Sequence, residues 1–127
     1  MAQVLIATDA DWILDEVAAA LAGDGTTVSR VREGRDVLPA VSELDPDLVI
    51  LDLQIGSMGG VATCLDLRLE GGAGRIDEQN VLLLLDRDVD TFLAKEAGAD
   101  GWLVKPLDAV RLAKAAKAIQ AGEQYFE

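Results

Sequence analysis

The sequence contains no histidine. A Ser-His triad, a histidine-ligated metal centre and a phosphohistidine carrier are therefore excluded as self-contained functions. The single cysteine, Cys64, excludes an intramolecular disulfide and fits a reducing cytoplasmic setting. It stands in an apolar helical stretch and reads as a core residue. Aromatic residues make up only 4% of the chain, so Leu, Val and Ala must build the core, and little ring surface remains for stacking a flavin. Positive charge is scarce: 11 Lys and Arg stand against 23 Asp and Glu, a formal charge of −12. Such a surface repels nucleic acid and anionic membrane, so neither is expected as a partner. No apolar run approaches the roughly 20 residues of a membrane span. The opening "MAQVLIATD" lacks the basic region and the apolar length of a signal peptide.

Within its 127 residues, strand-like and helix-like runs alternate five times, with no linker, repeat or second domain. Residues 3–8, "QVLIAT", read as a buried strand. Asp11 is a candidate cap for the next helix, whose face carries Ile13, Leu14, Val17, Ala18 and Leu21 and which Gly23 ends. Residues 26–31, "TTVSRV", alternate like a strand at a sheet edge. A short second helix, capped by Asp36 with Pro39 in its first turn, buries Val37, Val41 and Leu44. Pro46 stops it, and "DLVILD" is the third strand. A third helix spans about 60–70, followed by a polar, glycine-rich loop over 71–79 that lacks GxGxxG spacing. "NVLLLL", 80–85, is the fourth strand. Asp88 or Asp90 caps a short helix carrying Phe92, Leu93 and Ala97. "DGWLV", 100–104, is the fifth strand, and Asp108 caps a last helix ended by Gly122, with Lys114 and Lys117 on its solvated face. Tyr125 and Phe126 follow that stop and either tuck against the domain, the slightly favoured reading, or serve a partner.

Strands that are apolar throughout need cover on both faces, which points to a parallel sheet between two helical layers. Five units are too few for an eight-fold barrel, so the sheet should be open and doubly wound. In such sheets ligands bind beyond the carboxyl ends of the strands. Asp9 follows the first strand, Asp52 ends the third and Lys105 follows the fifth, so all three should share one rim. Neighbouring carboxylates favour a hard cation such as Mg²⁺, and a lysine beside them supplies charge for a phosphoryl group. Together these groups suit acceptance of a phosphoryl group onto a carboxylate.

The motifs "VLIATDAD", "PDLVILDLQIGSMGG" and "EAGADGWLVKP", with their spacing, make the chain resemble a response-regulator receiver domain, similar to stand-alone chemotaxis and sporulation regulators. The resemblance covers nearly the whole chain. It implies a flavodoxin-like (CheY-like) α/β fold: a doubly wound five-stranded parallel sheet in order 2-1-3-4-5 with five helices. It implies Asp52 as phosphoacceptor and Lys105 as the phosphoryl contact, with a cis Lys105–Pro106 bond. It implies Mg²⁺ held by Asp9, Asp52 and the Gln54 backbone carbonyl, with Thr8 a candidate through a bound water. The donor would be a histidine kinase or phosphotransfer protein. With residues 1–127 read as one receiver domain without an effector domain, output would be contact with a downstream protein. Such domains often pair through their fourth and fifth helices, so a homodimer there is a candidate. The expected role is cytoplasmic signalling rather than enzymatic turnover, and removal of Lys105 should leave folding nearly intact.

Several positions depart from the family pattern. Thr8 stands where a first acid is usual, which leaves the strength of the cation site open. Leu85 stands where a Ser or Thr hydroxyl usually contacts the phosphoryl group, and it cannot donate. Asp86 occupies a position that is usually small. It would repel an incoming phosphoryl group, replace the missing acid as a cation ligand, or simply point into water. Gly56 replaces a proline and should loosen its loop. Trp102 stands at the usual Tyr or Phe switch position. With Leu85 it either alters the usual coupling or packs to hold the fourth helix still. A phosphorylation-independent pseudo-receiver, acting as a protein-binding module, is therefore the alternative reading.

Overall fold

A computed structural model describes residues 2–23 and 25–127. Its strands are β1 (Gln3–Ala7), β2 (Thr27–Val31), β3 (Leu48–Asp52), β4 (Val81–Leu85), β5 (Gly101–Val104) and β6 (Tyr125–Phe126). Its helices are α1 (Asp11–Leu21), α2 (Val37–Leu44), α3 (Gly60–Gly72), α4 (Thr91–Glu96) and α5 (Ala109–Gln120), with 3₁₀ turns over Gly34–Asp36 and Asp88–Asp90 leading into α2 and α4. All strand pairs are parallel, in the order β2-β1-β3-β4-β5-β6. The flavodoxin-like order is as expected from sequence, with β2 at one edge. The sixth strand was not expected.

Side chains alternate between the two faces of each strand, so each central strand feeds two cores. Leu5, Val49, Leu51, Val81, Leu83 and Leu85 join Val37 and Val41 of α2, Cys64 and Leu67 of α3, and Ala94 of α4. Val4, Ile6, Leu48, Ile50, Leu82, Leu84 and Leu103 join Ile13 and Val17 of α1, and Leu112, Ala115 and Ile119 of α5. This two-sided burial is why β3 and β4 are apolar throughout.

Local signals mostly hold. Asp108 accepts the Arg111 backbone N–H at 2.9 Å and so caps α5. Gly23 and Gly122 follow the ends of α1 and α5 at positive φ, +111° and +87°. Lys114 and Lys117 are exposed. Three expected caps fail. Asp11 and Asp36 make no side-chain capping bond to α1 or α2. Asp90 caps the 3₁₀ turn before α4, accepting the Arg87 N–H at 3.0 Å, rather than α4 itself. Helix α3 runs on through Gly71 and Gly72, which were expected in the following loop. On α4, Ala94 and Ala97 face the core, while Phe92 and Leu93 point outward.

Beyond Gly122 the chain returns along β5. Tyr125 donates its N–H to Asp100 O at 3.1 Å, and the Phe126 ring stacks on Trp102 with centroids 4.2 Å apart. Gly101 permits this: a Cβ there would lie 2.5 Å from Tyr125 O and 2.8 Å from Ile119 Cδ1. The tucked Tyr125 and Phe126 thus extend the sheet by one strand.

Candidate functional site

Parallel register assembles the site. Ala7 lies beside Leu51, so the next residues, Thr8 and Asp52, are neighbours. Leu85 lies beside Val104, so Asp86 and Lys105 are neighbours one step further. Four side chains therefore meet where β1, β3, β4 and β5 end. Gly60 lets α3 start directly against this point: a Cβ there would sit 2.6 Å from Asp52 O and 3.0 Å from Leu53 Cα.

Asp52 is 2% exposed, and both of its oxygens accept hydrogen bonds. Its Oδ1 accepts from Lys105 Nζ at 2.7 Å and from the Gln54 backbone N–H at 3.1 Å. Its Oδ2 accepts from the Thr8 hydroxyl at 2.8 Å. Thr8 is itself buried, and its oxygen accepts the Ala10 N–H at 3.1 Å. A threonine at this position thus donates to the carboxylate where an acid would repel it.

Lys105 Nζ also donates to Asp86 Oδ1 at 2.9 Å. One ammonium therefore bridges two carboxylates. Burial pushes the Lys105 pKa down, but hydrogen bonds and charge from Asp52 and Asp86 outweigh it and hold it above its ordinary value. Burial pushes Asp86 up, yet the hydrogen bond from Lys105, the nearby Gln54 side chain and the charges of Lys105 and Arg87 leave it below the usual carboxylate value. Of the three readings of Asp86, the solvated strand end does not hold, because the register sets it against Lys105. Its second oxygen, Oδ2, is buried and has no hydrogen-bond partner among the described residues.

Asp9, one residue beyond Thr8, is exposed. Asp11 is tied elsewhere: Arg30 of β2 donates to it at 2.7 Å and to Thr8 O at 2.9 Å. Those Arg30 contacts hold its carboxyl below the usual range. Arg30 escaped the sequence reading, since an arginine in an edge strand carries no local signal of reaching across the rim. Leu85 is fully buried in the same apolar cluster as Trp102, Ala94 and Ala97. Shared burial on this face is compatible with either reading of Leu85 and Trp102. The Gly56 loop bonds to the segment before α2: Gly34 donates its N–H to Gly56 O at 3.0 Å, and Ser57 Oγ donates to Glu33 at 3.1 Å. The Lys105–Pro106 peptide is cis.

Among the described residues, no group of three or more His, Cys, Asp and Glu converges as a metal cage. The donors at the rim are nonetheless all oxygens, which suits a hard cation. Mg²⁺ commonly takes one or two carboxylates and fills its shell with waters. The residues present fit that open type of site.

The fold and the rim define a doubly wound α/β domain that carries a buried aspartate beside a lysine. The profile of the response regulator receiver domain matches residues 4–117. The chain belongs to the response-regulator receiver family of two-component signalling. It is 35% identical over 105 residues to the DNA-binding response regulator MtrA of Mycolicibacterium paratuberculosis, covering 82% of this chain and 44% of that protein. The chain spans about half the length of the curated relatives it matches. Its backbone is similar to the signal receiver domain of a signal transduction histidine kinase from Syntrophus aciditrophicus, with TM-score 0.83, 29% identity, and 96% and 92% of the two chains covered. It is also similar to the chemotaxis response regulator CheY4 of Vibrio cholerae, with TM-score 0.80, 26% identity, and 94% and 98% covered. Among the described residues, no helix is long and apolar enough to cross a membrane.

Proposed function

We propose that this receiver accepts a phosphoryl group on Asp52, from a histidine kinase or phosphotransfer protein, and signals by contact with another protein. The observation that carries the reading is Lys105 Nζ at 2.7 Å from a buried Asp52 at the carboxyl rim of the sheet. Oδ1 already accepts two hydrogen bonds and Oδ2 only one, so Oδ2 keeps a lone pair for attack on phosphorus. The new P–O bond forms as the donor's P–N bond breaks, and the departing imidazole takes up a proton. Lys105 then faces the added negative charge, and exchanging its partners would reorder the β4–α4 and β5–α5 connections. Asp9, Asp52 and the Gln54 carbonyl are the proposed Mg²⁺ ligands, with Thr8 acting through water; at Asp52 the ion would take the place on Oδ1 that Lys105 Nζ now fills. When bound, the ion supplies charge neutralisation during transfer. The formal charge of −12 supports a protein target over nucleic acid or membrane. A cytoplasmic setting, a signalling rather than catalytic role, and pairing through α4 and α5 belong to the same proposal.

A second reading has its own support. Leu85 offers no hydroxyl, and Asp86 already occupies Lys105. Both favour a pseudo-receiver that binds a protein without phosphorylation. Incubation with Mg²⁺ and acetyl phosphate, followed by intact mass measurement, separates the two. One phosphoryl adduct on the wild type and none on Asp52→Asn is the expected result. No adduct and no Mg²⁺ binding would refute the first reading in favour of the second.

A further inference from the structure

The loop carrying Lys105 is held by an ion pair that reaches in from the end of β6. Arg111 on α5 donates from Nη2 to Val104 O at 2.9 Å and from Nη1 to Pro106 O at 2.7 Å. The carbonyls on either side of Lys105 thus rest on one rigid, planar fork. That fork is aimed chiefly by Glu127, with Asp108 beside it: Arg111 Nε donates to Glu127 Oε2 at 2.6 Å, Nη2 bonds Oε1, and Nη1 also donates to Asp108 Oδ2 at 3.2 Å. Glu127 Oε1 also accepts the Val104 N–H at 3.1 Å. The Lys105 N–H itself goes to Leu85 O at 2.8 Å, joining it to the strand that precedes Asp86.

The same segment holds Trp102. Its indole Nε1 donates to Glu127 O at 3.1 Å, and its ring stacks on Phe126 at 26° between planes. The pair is partly shielded, with side chains 29% and 23% exposed. Charge-assisted bonds in such a place resist water better than a free surface pair.

We propose that Glu127 and Arg111 are a positioning pair for Lys105, coupling residues 123–127 to the Asp52 rim. The pair fixes the backbone from which the Lys105 ammonium spans Asp52 and Asp86. Its relevance to phosphoryl chemistry rests on the reading above, but its geometry does not. Release of residues 123–127 would loosen Lys105 and free Trp102 together, and a partner that captures this segment would act on the rim without touching it.

The test uses the full chain and a lysine acylating reagent at one pH, with rates read by peptide mass spectrometry. Exposed Lys114 and Lys117 serve as references. Loss of a charge-assisted bond in Glu127→Gln or Arg111→Gln should raise Lys105 acylation about tenfold over the references. Exchange of the Val104 and Lys105 amides should rise in step, while β1 and β3 stay protected. Glu127→Asp, which keeps the charge, should recover part of the protection. Unchanged Lys105 reactivity, or a uniform rise across all lysines and strands, would overturn the proposal. No phosphodonor enters this assay, so a Lys105 response without an Asp52 adduct keeps the pair and removes the phosphoacceptor reading. An adduct with no Lys105 response does the reverse.

Discussion

Lys105→Met removes the ammonium that bridges Asp52 and Asp86 and leaves a stem of similar length. Two losses follow. The buried Asp52 keeps Gln54 N–H and the Thr8 hydroxyl but loses its only cation. Asp86 loses its cation too, and the two carboxylates, roughly 5 Å apart, then repel each other by about 3 kcal/mol at an effective dielectric constant of about 20. Breaking a fully buried pair costs about 3–5 kcal/mol. Here the Asp86 side chain is 29% exposed, so water relieves part of the penalty, and the methionine packs its own apolar stem. The expected net loss is about 2–3 kcal/mol, which for a chain of this length lowers Tm by about 7–11 °C.

The pH dependence has a definite sign. In the wild type, Asp86 is held below its ordinary 3.8, so its contribution is present above that pH and is lost as pH falls through its native value. Lys105 is held above its ordinary 10.5, so its contribution is present below that pH and is lost only as pH rises through its native value. Without Lys105, Asp86 loses the charge and hydrogen bond that hold it low, and the variant's deficit should shrink as pH drops from 7 to 4. Urea unfolding of both proteins at these two pH values, followed by circular dichroism, measures this. A deficit under about 0.5 kcal/mol at pH 7 would place the bridge among ordinary surface pairs and refute the reasoning. An equal deficit at both pH values would do the same.

Gly60→Ala should cost about 1–3 kcal/mol in urea unfolding, because its Cβ meets Asp52 O at 2.6 Å and backbone must move. The same shift should suppress phosphoryl uptake at Asp52 in the mass assay, and normal uptake would deny that α3 must abut the acceptor. The Cys64 thiol is fully buried and pushed up to about 11 by burial. Ellman's reagent should therefore label it only as the protein unfolds, and prompt native labelling would contradict its place in the core.

Much of this molecule was legible in its residues because the relevant physics is local. Uninterrupted apolar runs at 48–51 and 81–85 can only be strands covered on both faces, so the parallel sheet and its rim followed. The placement of Asp52 and Lys105 at that rim followed from their positions at strand ends. Caps were read less well. Asp108 is a true cap, whereas Asp11 of the same type is drawn away by Arg30, 19 residues later. Capping propensity does not register a distant cation.

What tertiary structure alone decided is who bonds to whom. Thr8 read as a missing acid, yet register makes it a donor to Asp52. Asp86 read as a repellent, a ligand or a solvated end, yet register sets it on Lys105. Tyr125 and Phe126 were expected to tuck, but their becoming a strand depended on the bare Cα of Gly101 on the neighbouring β5. Burial and chain direction are written in neighbours a few residues apart. Hydrogen-bond partners are chosen by register between strands tens of residues apart, and a slip of one residue would have paired every one of these groups differently.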